Sequence, residues 1–154
     1  MTERPECPRG GGHSGRCALC DDLDPAVLTG QLELNLLTAA LVTKHALRRM
    51  KDTGQGRLVH TASRAAVVTR GQGFAYSVSK LGVLHLVAMA ADEVRGSGIT
   101  VNCVVPSIID TPANRSAMPD ADHASWPKIP DVAQAYLFLA SPGAHLVSGA
   151  SVPV

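Results

Sequence analysis

The sequence predicts an α/β fold in which helices cover the faces of a parallel sheet. Long segments with apolar residues at helical spacing alternate with short runs of β-branched residues, and glycine-rich breaks separate them. One of these runs, ITVNCVV at 99–105, is β-branched almost throughout, as in a strand covered on both faces. The order helix, strand, helix, strand, loop, helix, strand favours right-handed crossovers between parallel strands.

The first helix is predicted from Asp24 to about Lys51. Asp24 can cap it, and Pro25 suits the first helical position because no backbone N–H is needed there. Apolar residues then recur at helical spacing until the break DTGQG. RLVHTAS, residues 57–63, follows as the first strand, and VVTRGQG as a loop.

The second helix is predicted from about Phe74 to Arg95. It is apolar on most sides, so we expect burial on more than one face. The strand at 99–105 precedes a long irregular segment, 106–130, and segments of this length are usually functional or mobile. A third helix at 131–141 and a short last strand at 150–154 follow.

Composition and charge restrict the class of function. The chain has 154 residues, of which 45% are hydrophobic, 18% charged and 3% aromatic, and its net charge is +1. There is therefore no electrostatic reason to expect a nucleic-acid partner or an anionic membrane partner. No uninterrupted apolar run is long enough to span a bilayer, and the N-terminus has no apolar signal core. We expect a cytoplasmic protein.

Residues 1–22 differ in composition from the rest of the chain. They are rich in Gly, Pro, Arg and Cys, so we predict a disordered segment before a folded domain at 23–154. A zinc site is the alternative, because a two-residue spacer separates two cysteines. With no second such pair, we favour the unstructured segment and assign no metal ligand. The zinc ligands would be Cys7, His13, Cys17 and Cys20.

Ser63, Tyr76 and Lys80 form the candidate catalytic set. Tyr76 and Lys80 are four residues apart on a predicted helix and therefore share a face. The reference pKa of tyrosine is about 10, and a nearby ammonium group lowers it, so the pair can exchange a proton with an alcohol. Ser63 ends the adjacent strand, where its hydroxyl could hold the substrate oxygen. The same spacing also occurs on ordinary helix surfaces, but the preceding strand and the small residues around it favour catalysis.

These segments resemble the short-chain dehydrogenase/reductase family. LVHTAS followed by AYSVSK has the family's spacing, with Tyr thirteen residues after Ser and Lys four residues after Tyr. The resemblance implies that Tyr76 is the acid/base and also one of the cofactor-binding residues. It further implies that Lys80 lowers the pKa of Tyr76 and holds the nicotinamide ribose, and that Ser63 positions the substrate carbonyl or alcohol. QLELNLLTAALVTKHAL is similar to the family's preceding helix, which implies that Asn35 holds a proton-relay water. A buried or capping role is the alternative for Asn35.

The resemblance extends over residues 24–154. ITVNCVVPSIIDTP is similar to the family's Pro-Gly-x-x-x-Thr segment, which implies that Pro106, Ile109 and Thr111 hold the nicotinamide carboxamide, with Ser107 at the usual glycine. The implied fold is an incomplete Rossmann-type doubly wound parallel sheet with flanking helices. The implied cofactor is NAD or NADP, and the implied substrate is a small-molecule carbonyl or alcohol.

The family's glycine-rich cofactor loop has no counterpart in the sequence. GGGHSG at 10–15 neither follows a strand nor opens a helix, so it is not a phosphate loop. Two functions stay open. One is an NAD(P)-dependent oxidoreductase that transfers hydride between nicotinamide and a carbonyl or alcohol. The other is a truncated, catalytically silent member that acts only as an interaction partner.

The family also implies a homo-oligomer formed through the two long helices, whose wide apolar faces a monomer would expose. Several other side chains have two interpretations each. His60 could line the site or be simply packed. Asp110 and Arg115 could shape the substrate loop or form a surface ion pair, and Trp126 and Met118 could cover the substrate or pack the loop.

Overall fold

The computed structural model describes residues 23–68 and 73–154. Within these residues, the long helices and the strands follow one another in the predicted order. The helices are α1 (Pro25–Thr53), α2 (Phe74–Glu93), α3 (Pro112–Ala117) and α4 (Ile129–Ala140), and the strands are β1 (Gly56–Thr61), β2 (Ile99–Val105) and β3 (Ser151–Pro153). Short 3₁₀ turns lie at Arg64–Ala66, His123–Ser125 and Pro142–Ala144.

The three strands form one parallel sheet in the order β1-β2-β3. Gly56 lies opposite Ile99 and Thr61 opposite Val104, while Cys103 lies opposite Ser151 on the other side of β2. Every residue of β2 is buried. A parallel sheet with a fully covered central strand confirms the predicted fold class, and its carboxyl edge is where a ligand is expected.

Helix α1 begins as predicted but contains an unpredicted turn. The Asp24 carboxylate accepts a hydrogen bond from the Ala26 N–H at 2.8 Å. Leu32–Leu37 is a π-helical turn, in which the N–H of Thr38 bonds to the carbonyl of Glu33. A π turn adds one residue to a helical turn and often occurs at functional sites. Asn35 lies inside it.

Helix α2 is buried along one stripe only. Its buried residues recur every three or four positions and pack on β2 in the main hydrophobic core. The prediction of burial on more than one face is wrong for the described chain, because large apolar residues of α2 stay exposed elsewhere, Met89 at 62%. The buried residues are Ala75, Ser79, Val83, Val87, Ala90 and Ala91.

By length and composition, α1 and α2 are each apolar enough to cross a bilayer. Core helices of soluble proteins and signal sequences meet the same criterion, so this is weak evidence for a membrane span. The expectation of no membrane partner considered only uninterrupted apolar runs, and it stays a prediction.

The segment after β2 is more structured than the sequence predicted. Thr111 caps the short helix α3, its side-chain oxygen accepting from the Asn114 N–H at 3.1 Å. Residues 1–22, with the zinc alternative and the GGGHSG segment, lie outside the described residues, as do residues 69–72 of the predicted loop.

Candidate active site

Lys80 ties α2 to the carboxyl end of β1. Its Nζ donates a hydrogen bond of 3.0 Å to the carbonyl of Thr61, the last residue of the strand. The same Nζ lies 6.0 Å from the centre of the Tyr76 ring, one helical turn away. The structure thus brings the tyrosine and the ammonium group together at the edge of the sheet where the sequence predicted them.

Ser63 lies two residues beyond β1 in extended backbone. Its Oγ accepts a hydrogen bond of 3.2 Å from the Ala65 N–H and so caps the 3₁₀ turn that follows. The next residue, Arg64, donates its N–H to the carbonyl of Pro106 at 2.9 Å. The predicted catalytic serine and the predicted carboxamide segment therefore meet at one edge of the sheet.

Asn35 is joined to helix α2 through Ser79. The Asn35 Nδ2 donates to the Ser79 Oγ at 3.0 Å, and the Ser79 Oγ donates to the carbonyl of Tyr76 at 2.8 Å. Ser79 is fully buried. The π turn of α1 and the first turn of α2 are thus linked by side chains, which places Asn35 beside the Tyr76–Lys80 turn.

A pocket lies between α1 and the end of β1. It contains two of the four predicted catalytic residues, and its walls are otherwise apolar or weakly polar. The lining residues are Leu34, Asn35, Thr38, Ala39, Val42, His60, Thr61 and Lys80.

His60 is both packed and part of this pocket, so its two interpretations hold together. It is 8% exposed, and its Nε2 lies 2.8 Å from the Thr43 Oγ1. The Thr43 hydroxyl also bonds to the Ala39 carbonyl at 2.8 Å, so the hydroxyl hydrogen is used there and Nε2 is the donor to Thr43. Burial lowers the pKa of His60, and the charge of Lys80 lowers it further.

The predicted carboxamide segment is held by its own side chains. Asn114 donates its Nδ2 to the Ile109 carbonyl at 2.7 Å, and Ser107 donates its N–H to the Val154 carbonyl at 2.8 Å. Within residues 23–68 and 73–154, no hydrogen bond uses the N–H of Ile109. That N–H, with the Thr111 hydroxyl, is a group that could bind a carboxamide.

Asp110 anchors both ends of the loop after β2. Its carboxylate accepts from Arg115 at 2.5 and 2.9 Å and from Lys128 at 2.5 Å. Hydrogen bonds from Arg115 and then from Lys128 hold the pKa of the Asp110 carboxyl well below its usual range. Asp110 and Arg115 form an ion pair and also shape the loop, so neither interpretation excludes the other, and Lys128 was not foreseen.

Trp126 packs against other residues of the loop that follows β2. It is buried, and its ring centre lies 4.6 Å from that of His123, whose Nε2 is 2.8 Å from the Met118 carbonyl. These contacts favour the packing interpretation of Trp126 and Met118.

The sequence predicted four site residues but not the side chains that bond to them. Ser79 belongs to the AYSVSK segment, and Gln31 lies one turn before Asn35, so both were in view. Nothing distinguishes either from an ordinary polar helix residue until the two helices are packed together. Thr43 and Lys128 are visible only as partners across the fold.

Comparison with known proteins identifies the family. A family model described as enoyl-(acyl carrier protein) reductase matches residues 18–154. The chain is 36% identical over 143 residues to cis-4-hydroxycyclohexanecarboxylate dehydrogenase of Sinomonas cyclohexanicum, covering 86% of this chain and 57% of the relative. The chain belongs to the short-chain dehydrogenase/reductase family of oxidoreductases.

Solved structures agree with this assignment. A short-chain dehydrogenase/reductase from Mycobacterium ulcerans is 31% identical, with a TM-score of 0.85, over 93% of this chain and 56% of that one. A Beutenbergia cavernae protein described as an NAD(P)-dependent gluconate 5-dehydrogenase, solved with NADP bound at low occupancy, is 26% identical, with a TM-score of 0.80, over 90% and 59%. The described fold is thus a Rossmann-type one with three parallel strands. The chain spans about half the length of the curated relatives it matches.

Proposed function

We propose that this chain carries the catalytic groups of an NAD(P)-dependent oxidoreductase that interconverts an alcohol and a carbonyl compound. One observation carries the proposal. Lys80 is bonded to the end of β1 and lies beside the Tyr76 ring, so an ammonium group and a phenol are held together at the ligand-binding edge of the sheet.

In the direction of oxidation, the proposed role of Tyr76 is to take the hydroxyl proton of the alcohol. The proposed role of Lys80 is to hold its positive charge beside the Tyr76 ring, 6.0 Å from the ring centre. The hydroxyl of Ser63, whose oxygen already accepts from Ala65, retains a hydrogen to donate to the substrate oxygen. The nicotinamide supplies the hydride acceptor, so alcohol and NAD(P)⁺ give carbonyl, NAD(P)H and a proton.

The described residues fit the nicotinamide end of the dinucleotide. The proposal assigns Lys80 to the ribose, and the N–H of Ile109 and the hydroxyl of Thr111 to the carboxamide. It is supported by the position of Lys80 at the end of β1 and of Thr111 at the start of α3. NADP is bound in the Beutenbergia cavernae relative, which supports a nicotinamide dinucleotide and does not separate NAD from NADP. Groups for the pyrophosphate are not among the described residues, since no strand there leads through a glycine-rich loop into a helix.

The remaining predictions are part of the proposal. We propose a small-molecule carbonyl or alcohol as substrate, which the relative that oxidises a hydroxycyclohexanecarboxylate supports by its name. We also propose a cytoplasmic protein, without a nucleic-acid or membrane partner, that forms a homo-oligomer through α1 and α2.

A catalytically silent protein that acts only through partners is the second candidate. It is favoured by the exposed apolar residues of both long helices. The two candidates differ in one measurable property, the binding of dinucleotide.

Calorimetric titration of the folded chain with NADH and with NADPH tests the proposal. Saturable binding of either dinucleotide supports the oxidoreductase. Absence of binding by a chain that is folded and monodisperse contradicts it and favours the silent protein.

Substitution of Tyr76 by Phe tests the assigned acid/base. We expect turnover to fall by about 10²–10⁴-fold, because general acid–base catalysis contributes that much, while dinucleotide affinity stays within about twofold. Reduction of a panel of cyclic ketones, followed by NAD(P)H absorbance, measures it. The control is Tyr136→Phe, which removes a tyrosine hydroxyl bonded to the side chain of Thr61. Equal turnover by the Tyr76 variant and the native chain would remove Tyr76 from the mechanism.

A further inference from the structure

We propose that Ser79 and Gln31 are positioning residues that fix the orientation of the Asn35 amide. In this orientation the amide nitrogen is used inside the protein, and the amide oxygen is the group that Asn35 offers to the pocket it shares with Lys80. The catalytic meaning of this orientation rests on the proposed function, whereas the orientation itself does not.

The carbonyl of Tyr76 can only accept a hydrogen bond. The Ser79 Oγ lies 2.8 Å from it, so the single hydroxyl hydrogen of Ser79 points at this carbonyl. Toward Asn35, at 3.0 Å, the Ser79 oxygen can then act only as an acceptor. The group of Asn35 that faces Ser79 must therefore be the NH₂. A reversed amide would place two acceptors 3.0 Å apart with no hydrogen between them.

Gln31 fixes the same orientation from the other side. The Asn35 Nδ2 lies 3.0 Å from the Gln31 side-chain oxygen and 3.2 Å from the Gln31 carbonyl. The carbonyl can only accept, so it too requires a donor in Asn35. An NH₂ group has two hydrogens, and its acceptors here lie on Ser79 and on Gln31. Both donors of Asn35 are thus used within the protein.

This orientation determines which atom of Asn35 can bond to a molecule in the pocket. Asn35 lines the pocket beside Lys80, and only its oxygen remains for a molecule bound there. Asn35 therefore accepts a hydrogen bond from a bound water and does not donate one. Ser79 also bonds to the backbone of Tyr76, so the same hydroxyl contacts both the Asn35 amide and the turn that carries Tyr76.

Nuclear magnetic resonance of the full ¹⁵N-labelled chain tests the proposal without any substrate. We expect nuclear Overhauser effects between the Asn35 side-chain NH₂ and the β-protons of Ser79. In Ser79→Ala, we expect at least one of the two NH₂ hydrogens to exchange with water about fivefold faster, because its acceptor is gone. Ser77→Ala is the matched control on the same helix, and Gln31→Glu keeps an acceptor, so both should leave the exchange rates unchanged.

The proposal is overturned if the NH₂ of the native chain shows no contact with Ser79, or if Ser79→Ala leaves its exchange rates as they are. Should the alanine variant not fold, the contact in the native chain decides the matter. If the native chain shows the contact between the Asn35 NH₂ and Ser79 but does not bind dinucleotide, the proposed function is wrong and the proposed amide orientation still holds. The two proposals therefore fail separately.

Discussion

His60 is a buried side chain whose pKa differs between the folded and the unfolded chain. It lies between α1 and β1, where its bond to Thr43 joins the helix to the strand. Burial first, and Lys80 second, disfavour the imidazolium, so the pKa of His60 in the folded chain lies below its ordinary 6.5. The unfolded chain therefore binds this proton more readily than the folded chain does.

This difference predicts the sign of a stability change. As the pH falls from above 6.5 through the lowered pKa of folded His60, protonation favours the unfolded chain, and the free energy of unfolding should decrease. Above 6.5 the contribution is constant. Urea unfolding at intervals from pH 8 to pH 5 measures it.

His60→Gln is the control, since it keeps a hydrogen-bonding group and cannot titrate. We expect a shallower decrease in its free energy of unfolding over the same range. The Asp110 carboxyl does not interfere, because its pKa lies below 3.8 and it stays ionised throughout. Identical pH dependence in the native chain and the variant would show that other groups cause the change.

At the scale of elements, the connection into β2 depends on a close approach of two turns. Gly54 ends α1 and Gly98 precedes β2, and both have a positive φ. A Cβ at Gly98 would lie 2.6 Å from the Gly54 carbonyl oxygen, whereas a Cβ at Gly96 would meet nothing within 4 Å. Gly96 and Gly98 have the same φ of +77° but differ in the space available to an added Cβ.

Replacing Gly96 and Gly98 by Ala, one at a time, separates the cost of backbone strain from the cost of the close contact with the Gly54 carbonyl. We expect Gly96→Ala to lower the free energy of unfolding by about 1–2 kcal/mol, the cost of the left-handed conformation. Gly98→Ala should cost about 1–3 kcal/mol more, because the backbone at Gly54 must move. Denaturant unfolding of the two variants measures the difference, and equal losses would mean that the turns accommodate the added carbon.

The same scale shows what the sequence can and cannot predict. The order of helices and strands follows from apolar spacing, and Ser63, Tyr76 and Lys80 follow from their places on one strand end and one helix face. The π turn around Asn35 does not follow, because it is defined by a backbone hydrogen bond from Thr38 to Glu33 that the side-chain pattern does not specify. Partners such as Ser79 for Asn35 require knowing which turns of two helices are packed together.

At the scale of the whole molecule, the two long helices are poorly covered. Large apolar side chains of both helices are exposed to water, and their burial between subunits would be energetically favourable. They are Leu34, Leu37, Leu41 and Val42 on α1, and Val78, Leu81 and Met89 on α2. This is the physical basis of the proposed homo-oligomer.

We therefore expect the native chain to sediment as a dimer or a larger oligomer at micromolar concentration. Met89→Glu should shift it toward the monomer, because it places a charge on the exposed face of α2. Leu146→Glu is the control, since this residue is 86% exposed and lies outside both helices. Analytical ultracentrifugation measures the change, and a native chain that sediments as a monomer would contradict the expectation.

The position of β2 between two parallel neighbours also governs how the chain folds. Parallel strands are joined by crossover connections, so the pairing of β1 with β2 encloses the whole of α2. The other neighbour of β2 is β3, which lies about 50 residues further along the chain. Contacts between such distant residues form slowly. Until then the β-branched run 99–105 is exposed and prone to intermolecular pairing. The yield of native chain should thus depend on the competition between crossover formation and aggregation, which lower protein concentration shifts toward folding.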